Sequence, residues 1–458
     1  MTMLITDDEY KRAKEAFVAD LQGTTGREVF LLFALMPALP VTIIVEFLVL
    51  TLPTMVAFTF SQYTIPLLAS VYFSSFLLNR LSWKHAREYV LKHCRKEKMN
   101  QLLDKEVPFL TCFRAQIMLS TVFAILAVDF QIFPRRFAKT ETFGFSVMDI
   151  GVGAFIVSSA ITSSYARSAR PNIDNGKRRL DARSRPIIAR VYAFFRPIIP
   201  VIVIGVVRFL TVKGVNYQEH VSEYGVHWNF YFTLAGVYVL FSSLQILGSW
   251  ATSPVLAAIL AIGYQIYLTF YGGEDFIING PRDNLFSQNR EGILSLLGYT
   301  SLYIAAVYFG QIVFGYMDTN GAKAVRNIRW LVVTLAMTTL VLTVATFLSV
   351  RLVSRPSRRM VNLSYILWTL AESAFLLTAY GAVHVVCLLP RTPLLFQGIS
   401  RNQLFIFLIA NLATGAVNLS MRTIYADALT ASGVLTAYML AVSVVATLLE
   451  RAGVRIKL

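Results

Sequence analysis

Cysteine is nearly missing from these 458 residues: Cys94, Cys112 and Cys387 stand alone, with no C-x-x-C spacing. That excludes a disulfide framework and a thiolate metal site. The five histidines include no H-E-x-x-H helix signature, so the usual zinc-hydrolase pattern is missing too. Charge is scarce, at 15% of residues against 56% hydrophobic, where an average soluble domain carries about 25% charged residues. A water-soluble globule is therefore excluded. Acidic residues are the scarcer sign, 26 against 42 basic, giving a formal charge of +16. On a soluble chain that excess would suggest nucleic acid. In a chain this apolar it points instead to basic loops on the cytoplasmic side of a membrane, with no nucleic-acid partner. There is no G-x-S-x-G elbow, P-loop or Rossmann glycine pattern in a usable context, no low-complexity tract and no repeat of fixed period. The first 28 residues hold Asp7, Asp8, Glu9, Asp20 and Glu28, unlike a cleaved signal peptide, which needs a basic start and then an apolar run.

What the sequence does have is long apolar runs. Residues 29–79 contain one charge, Glu46, and are long enough for two generous crossings or three short ones. Further runs follow at 109–128, 143–164, 191–211, 229–247, 252–271, 295–316, 329–350, 362–389, 403–421 and 427–449. The expected fold is an all-α polytopic membrane bundle of 12–13 transmembrane helices, because backbone amides in lipid must be paired within their own segment. A single membrane domain, 29–449, lies between an N-terminal segment, 1–28, and a short tail, 450–458. With two crossings in 29–79, alternate loops carry 28 basic residues on one side and 11 on the other. The richer side, with loops 80–108 and 165–190, is assigned to the cytoplasm. Three crossings in 29–79 would move only the N-terminus to the other side.

The chemically dense loops fall on the side away from the cytoplasm. Asp129 ends an apolar run and is followed by Arg135, Arg136 and Lys139. That places a carboxylate base near an ammonium, or else an interfacial salt bridge that caps two helices. Residues 217–230 hold Glu219, His220, Glu223, His227, Trp228 and Asn229. Glu219, Glu223 and His227 would share one helix face as metal ligands only if the helix ran on, and Gly225 interrupts it. The segment reads as an interfacial loop with aromatic anchors or as a polar substrate-binding loop. Asn289, Arg290 and Glu291 open a span, where Glu291 suits the helix dipole and Arg290 could hold phosphate. Asp149, Arg208, Glu372 and His384 lie inside spans and are functional candidates by depth, whereas Asn411 and Asn418 read as interhelical hydrogen-bond glue.

The segments 127–155, 214–230, 289–299, 357–368 and 400–419, with KEAFVADLQGTTG at 14–26, resemble the inositol acyltransferases of glycosylphosphatidylinositol-anchor assembly. The resemblance covers nearly the whole chain. It implies a multi-pass enzyme of the endoplasmic reticulum that moves a fatty acyl chain, typically palmitoyl, from acyl-CoA to the inositol 2-hydroxyl of glucosaminyl-phosphatidylinositol. It implies no cofactor beyond acyl-CoA as co-substrate, and membrane lipids as surroundings. Asp129 and Lys139 lie inside the matched segment, and the resemblance supports them as the essential pair. In that reading Asp129 takes the hydroxyl proton, and Lys139 either stabilises the tetrahedral oxyanion or holds Asp129 ionised. Arg135 and Arg136 are candidates for substrate phosphate; His220 or His227 is the rival base. Trp228, Asn229, Asn289, Arg290 and Arg208 are further substrate-binding candidates. A proton-coupled transporter or lipid flippase is the alternative class, given the intramembrane Asp149, Arg208 and Glu372.

Overall fold

A computed structural model describes residues 7–18, 23–25, 28, 51–59, 107–169, 195–196, 198–214, 221–316, 321–387 and 392–456. Among them the chain is helical, apart from one isolated bridge between Thr24 and Phe145. An N-terminal helix α1 (Asp7–Val18) and a short apolar α2 (Leu52–Thr59) come first. The bundle continues with α3 (Pro108–Ala127), α4 (Val147–Ile161), α5 (Ile199–Gly214), α6 (Phe230–Leu244), α7 (Pro254–Phe270) and α8 (Arg290–Gly315). It closes with α9 (Gly321–Leu352), α10 (Leu363–Cys387), α11 (Leu394–Arg401), α12 (Gln403–Ser420) and α13 (Ala428–Arg451).

Local chemistry sets where these helices begin. Proline at the first turn starts α3 and α7, where its missing N–H is no loss. Ser146, Asn229, Ser253 and Asp427 cap α4, α6, α7 and α13 by accepting from first-turn amides. Each of the ten runs expected after residue 100 coincides with one of these helices. Six of them are long and apolar enough to cross a bilayer by themselves, and a seventh is obtained if α7 and the bent helix Gly273–Asn279 count as one span. Val147–Ile161, Ile199–Leu210 and Phe230–Leu244 are shorter apolar helices. The crossings expected in 29–79, and most of the basic loops 80–108 and 165–190, lie outside the described residues.

Packing ranks the helices. The spans of α3, α8 and α10 are about two-thirds or more buried and contact α4 between them, while the span of α9 is only 17% buried and shows Val333, Met337, Leu340, Val341 and Phe347 outward. An outward apolar face of that length suits lipid. The loops after α3, before α6, before α8, before α10 and after α12 come together at one end. Gly144 N–H donates to Pro356 O at 2.9 Å, and Val226 N–H to Gln288 O at 3.0 Å. These are the loops that the basic-residue count placed opposite the cytoplasm, and most of the candidate site residues sit there.

The N-terminal segment joins the same end. Thr24 N–H donates to Phe145 O, Glu28 pairs with Arg136, and the Arg135 guanidinium lies 4.0 Å over the Phe17 ring. Gly23 has φ +77°, and a Cβ there would run into the Phe145 carbonyl, so this close crossing needs glycine. The described residues of this segment, 7–18, 23–25 and 28, therefore share a face with 129–145 and 421–427. In the loop count, three crossings in 29–79 would put the N-terminus on this side, and the basic-residue ratio would then be 24:15 in place of 28:11.

Candidate active site

Asp129 follows the end of α3 and is buried at 7% exposure. Its Oδ2 accepts from Asn418 Nδ2 at 2.7 Å, and its Oδ1 lies 3.7 Å from Lys14 Nζ. Lys14 donates in turn to Asn418 Oδ1 at 2.5 Å, so the ammonium, the amide and the carboxylate form a closed ring. Oδ1 accepts no hydrogen bond from any described residue. Asn418, expected to be glue, is thus at the site, whereas Asn411 does bridge helices by accepting from Arg208 at 3.1 Å.

Lys139 is 40% exposed and does not pair with Asp129. It donates to both carboxylate oxygens of Glu223 at 2.8 Å, and Glu223 also meets Arg358 Nη1 at 3.2 Å. Arg358 Nε donates to Asp149 Oδ1 at 3.0 Å, and Asp149 accepts from the Thr140 amide and hydroxyl. Burial alone would lower the Arg358 pKa, but the Glu223 and Asp149 carboxylates outweigh it and hold the guanidinium above its ordinary range. Two cations and two carboxylates alternate here, so the buried charge is balanced. Glu223 lies in the short helix Val221–Tyr224, and Gly225 at φ +113° ends it, so the face needed to align Glu219, Glu223 and His227 does not form.

A third cluster surrounds Glu291, whose side chain is fully buried. Arg359 Nη2 reaches it at 2.9 Å, Arg282 Nη2 at 2.5 Å and Arg290 Nε at 3.9 Å. Arg290, a candidate phosphate ligand, donates to the carbonyls of Ile277, Pro281 and Ser287 and so holds the loop before α8. Arg135 is engaged in the same manner, donating to Val128, Phe130 and Phe133 carbonyls at 2.9–3.1 Å. Burial pulls its guanidinium down to about 10, against the attraction of Asp129. Arg136 is 43% exposed and pairs with Glu28. Asn289 accepts from the His227 amide, and Asn229 caps α6 while donating to Gly205 O. Trp228 donates to Thr233 and covers Gly292, where a Cβ would strike the indole. The His227 ring packs edge-on against Phe209. His220 lies outside the described residues.

The described geometry can therefore supply a carboxylate with one acceptor that no described residue fills and, further along the same loop, the separate Lys139 ammonium held by Glu223. Residues 10–449 match the GWT1 family. The chain belongs to the GWT1 family. A "GPI-anchored wall transfer protein 1" of Yarrowia lipolytica is 35% identical, over 79% of this chain and 76% of that protein. One of the same name from Aspergillus fumigatus is 37% identical, over 76% and 73%. A "Phosphatidylinositol-glycan biosynthesis class W protein" of Dictyostelium discoideum is 33% identical, over 79% and 77%. GWT1 membership agrees with the expected family and places this multi-pass membrane protein in GPI-anchor biosynthesis. In this GWT1 chain the residues that loop spacing did not single out as a site are Lys14, Arg358, Arg359 and Arg282. Lys14, Arg358 and Arg359 lie within segments that carry the family resemblance, and Arg282 only within a loop between spans.

Proposed function

We propose that this protein is an acyl-CoA-dependent inositol O-acyltransferase of the endoplasmic reticulum membrane, acting on glucosaminyl-phosphatidylinositol. The observation that carries the reading is Asp129: a buried carboxylate, fixed through one oxygen, with the other open and a cation 3.7 Å away. A sugar hydroxyl is a poor nucleophile at neutral pH, whereas a thioester is already activated, so base and oxyanion stabiliser suffice without a further cofactor. Asp129 Oδ1 takes the inositol hydroxyl proton as the oxygen bonds to the thioester carbonyl carbon. Lys139 neutralises the oxyanion of the tetrahedral intermediate. The C–S bond then breaks, and the CoA thiolate leaves with the proton from Asp129. The ester and free CoA thiol account for every atom.

Arg135 and Arg290 hold main chain, so the substrate phosphate falls to Arg136, the exposed member of the arginine pair. The test is mass spectrometry of glucosaminyl-phosphatidylinositol incubated with purified protein and labelled palmitoyl-CoA. A product heavier by one labelled acyl group is expected. Asp129→Asn should lower turnover by about 100-fold or more, and Lys139→Met should also lower it, with both variants still folded. Near-normal turnover in either sinks its assigned role. Loss in His227→Ala with mere slowing in Asp129→Asn would transfer the base to histidine.

A further inference from the structure

The cation beside Asp129 comes from the far end of the sequence. Lys14 sits on α1, which docks through Tyr10 against Tyr425, their rings 5.8 Å apart, and through Phe17 beneath Arg135. The Lys14 side chain is 14% exposed, so the ammonium is largely withdrawn from water and directed at two acceptors. Its donation to Asn418 Oδ1 has a specific consequence. An amide has an oxygen end and a nitrogen end, and a lysine can only donate. With its oxygen held by Lys14 and, at 3.4 Å, by Thr423, Asn418 must present Nδ2 to Asp129. The amide also donates to Thr414 O one turn back, which fixes its plane. Oδ2 of Asp129 is thereby occupied, and Oδ1 is left for the incoming hydroxyl.

We propose that Lys14 is a positioning residue of the transfer site, which sets the Asn418 amide so that it occupies Oδ2 of Asp129 and leaves Oδ1 to the hydroxyl, with the Lys14 ammonium beside it. This inference rests on the reading of Asp129 as the base. It assigns Lys14 the counter-ion role for which Lys139 was the sequence candidate, and it makes the N-terminal helix part of the site.

The experiment is a double-mutant cycle in the purified full-length protein with Lys14→Met, Asp129→Asn and the pair, alongside Lys14→Arg. Acyl transfer and thermal melting are both read. Lys14→Met is expected to lower kcat by about 10- to 100-fold, the scale of a misplaced catalytic group, with KM for both substrates within about twofold. Lys14→Arg, which keeps donor and charge, should recover most of the rate. In the Asp129→Asn background Lys14→Met should cost nothing more. A full additional loss in that background, or a rise in KM with kcat unchanged, overturns the proposal. Melting needs no substrate: the two substitutions should be non-additive in Tm, and strict additivity also overturns it. A wild-type protein that melts with this coupling yet transfers no acyl group would refute the proposed reaction and not the contact. If Lys14→Met does not fold, Asn418→Ala in the same cycle reads the same ring.

Discussion

Arg135 and Arg136 are adjacent, and sequence alone gives both the same role toward phosphate. The structure separates them by burial. Removing the Arg135 side chain takes the guanidinium donors from the carbonyls of Val128 and Phe133, while Phe130 O keeps the Phe133 amide, so Arg135→Ala should destabilise the protein by about 1–3 kcal/mol, seen as a lower melting temperature. Arg136→Ala breaks an exposed pair and should change stability by less than about 1 kcal/mol, its effect appearing in substrate KM instead. Asn418 shows the limit of depth as a guide. An asparagine inside a span reads as glue because hydrogen bonding between helices is its commonest use, and nothing in its neighbours tells that a carboxylate 289 residues earlier is its partner. Asp129 and Lys139 stand out in the sequence as candidates from their apolar flank and loop density. Their partners do not, since an ion pair leaves no trace in spacing unless both members lie on one element.

At the scale of elements, the loop 353–362 between α9 and α10 carries the most strain. Val361 has φ +54°, an outlier for a β-branched residue. Such a conformation costs about 1–3 kcal/mol and persists only where the surroundings fix it. Asn362 does much of the fixing, accepting from Ser357 and Tyr365 amides and donating to Ser354 and Arg355. The result turns Arg358 toward Asp149 and Glu223 and Arg359 toward Glu291 from consecutive positions. Gly298 on α8 permits the loop to approach, because a Cβ there would run into the Val361 carbonyl. Gly298→Ala should therefore lower the melting temperature, by the equivalent of about 1–3 kcal/mol. Arg358→Met leaves Asp149 without its counter-charge and should cost about 3–5 kcal/mol. The spans on either side were readable from hydropathy, which reports burial in lipid. The loop was readable only as three basic residues, two of them within a matched segment, because its shape comes from tertiary bonds.

For the molecule as a whole, ten helices were legible as apolar runs, and six of them meet the length and polarity condition of a span by themselves. The N-terminal side was not, since charge counting depends on parity within 29–79. The contacts of Tyr10, Lys14, Phe17, Thr24 and Glu28 with the loops after α3 and α12 make it testable. In sealed vesicles with their cytoplasmic face outward, an N-terminal epitope should resist added protease, while one inserted in 165–190 should be cleaved; cleavage of the N-terminal epitope would contradict the contacts. The bond between Lys14 and Asn418 joins positions 404 residues apart. At ribosomal speeds of about 5–20 residues per second, roughly 20–80 s separate the synthesis of its two ends. The helix that carries Lys14 must wait until the span that carries Asn418 has been made. A nascent chain thus carries its aspartate through the next 289 residues of synthesis without the ring that orients it.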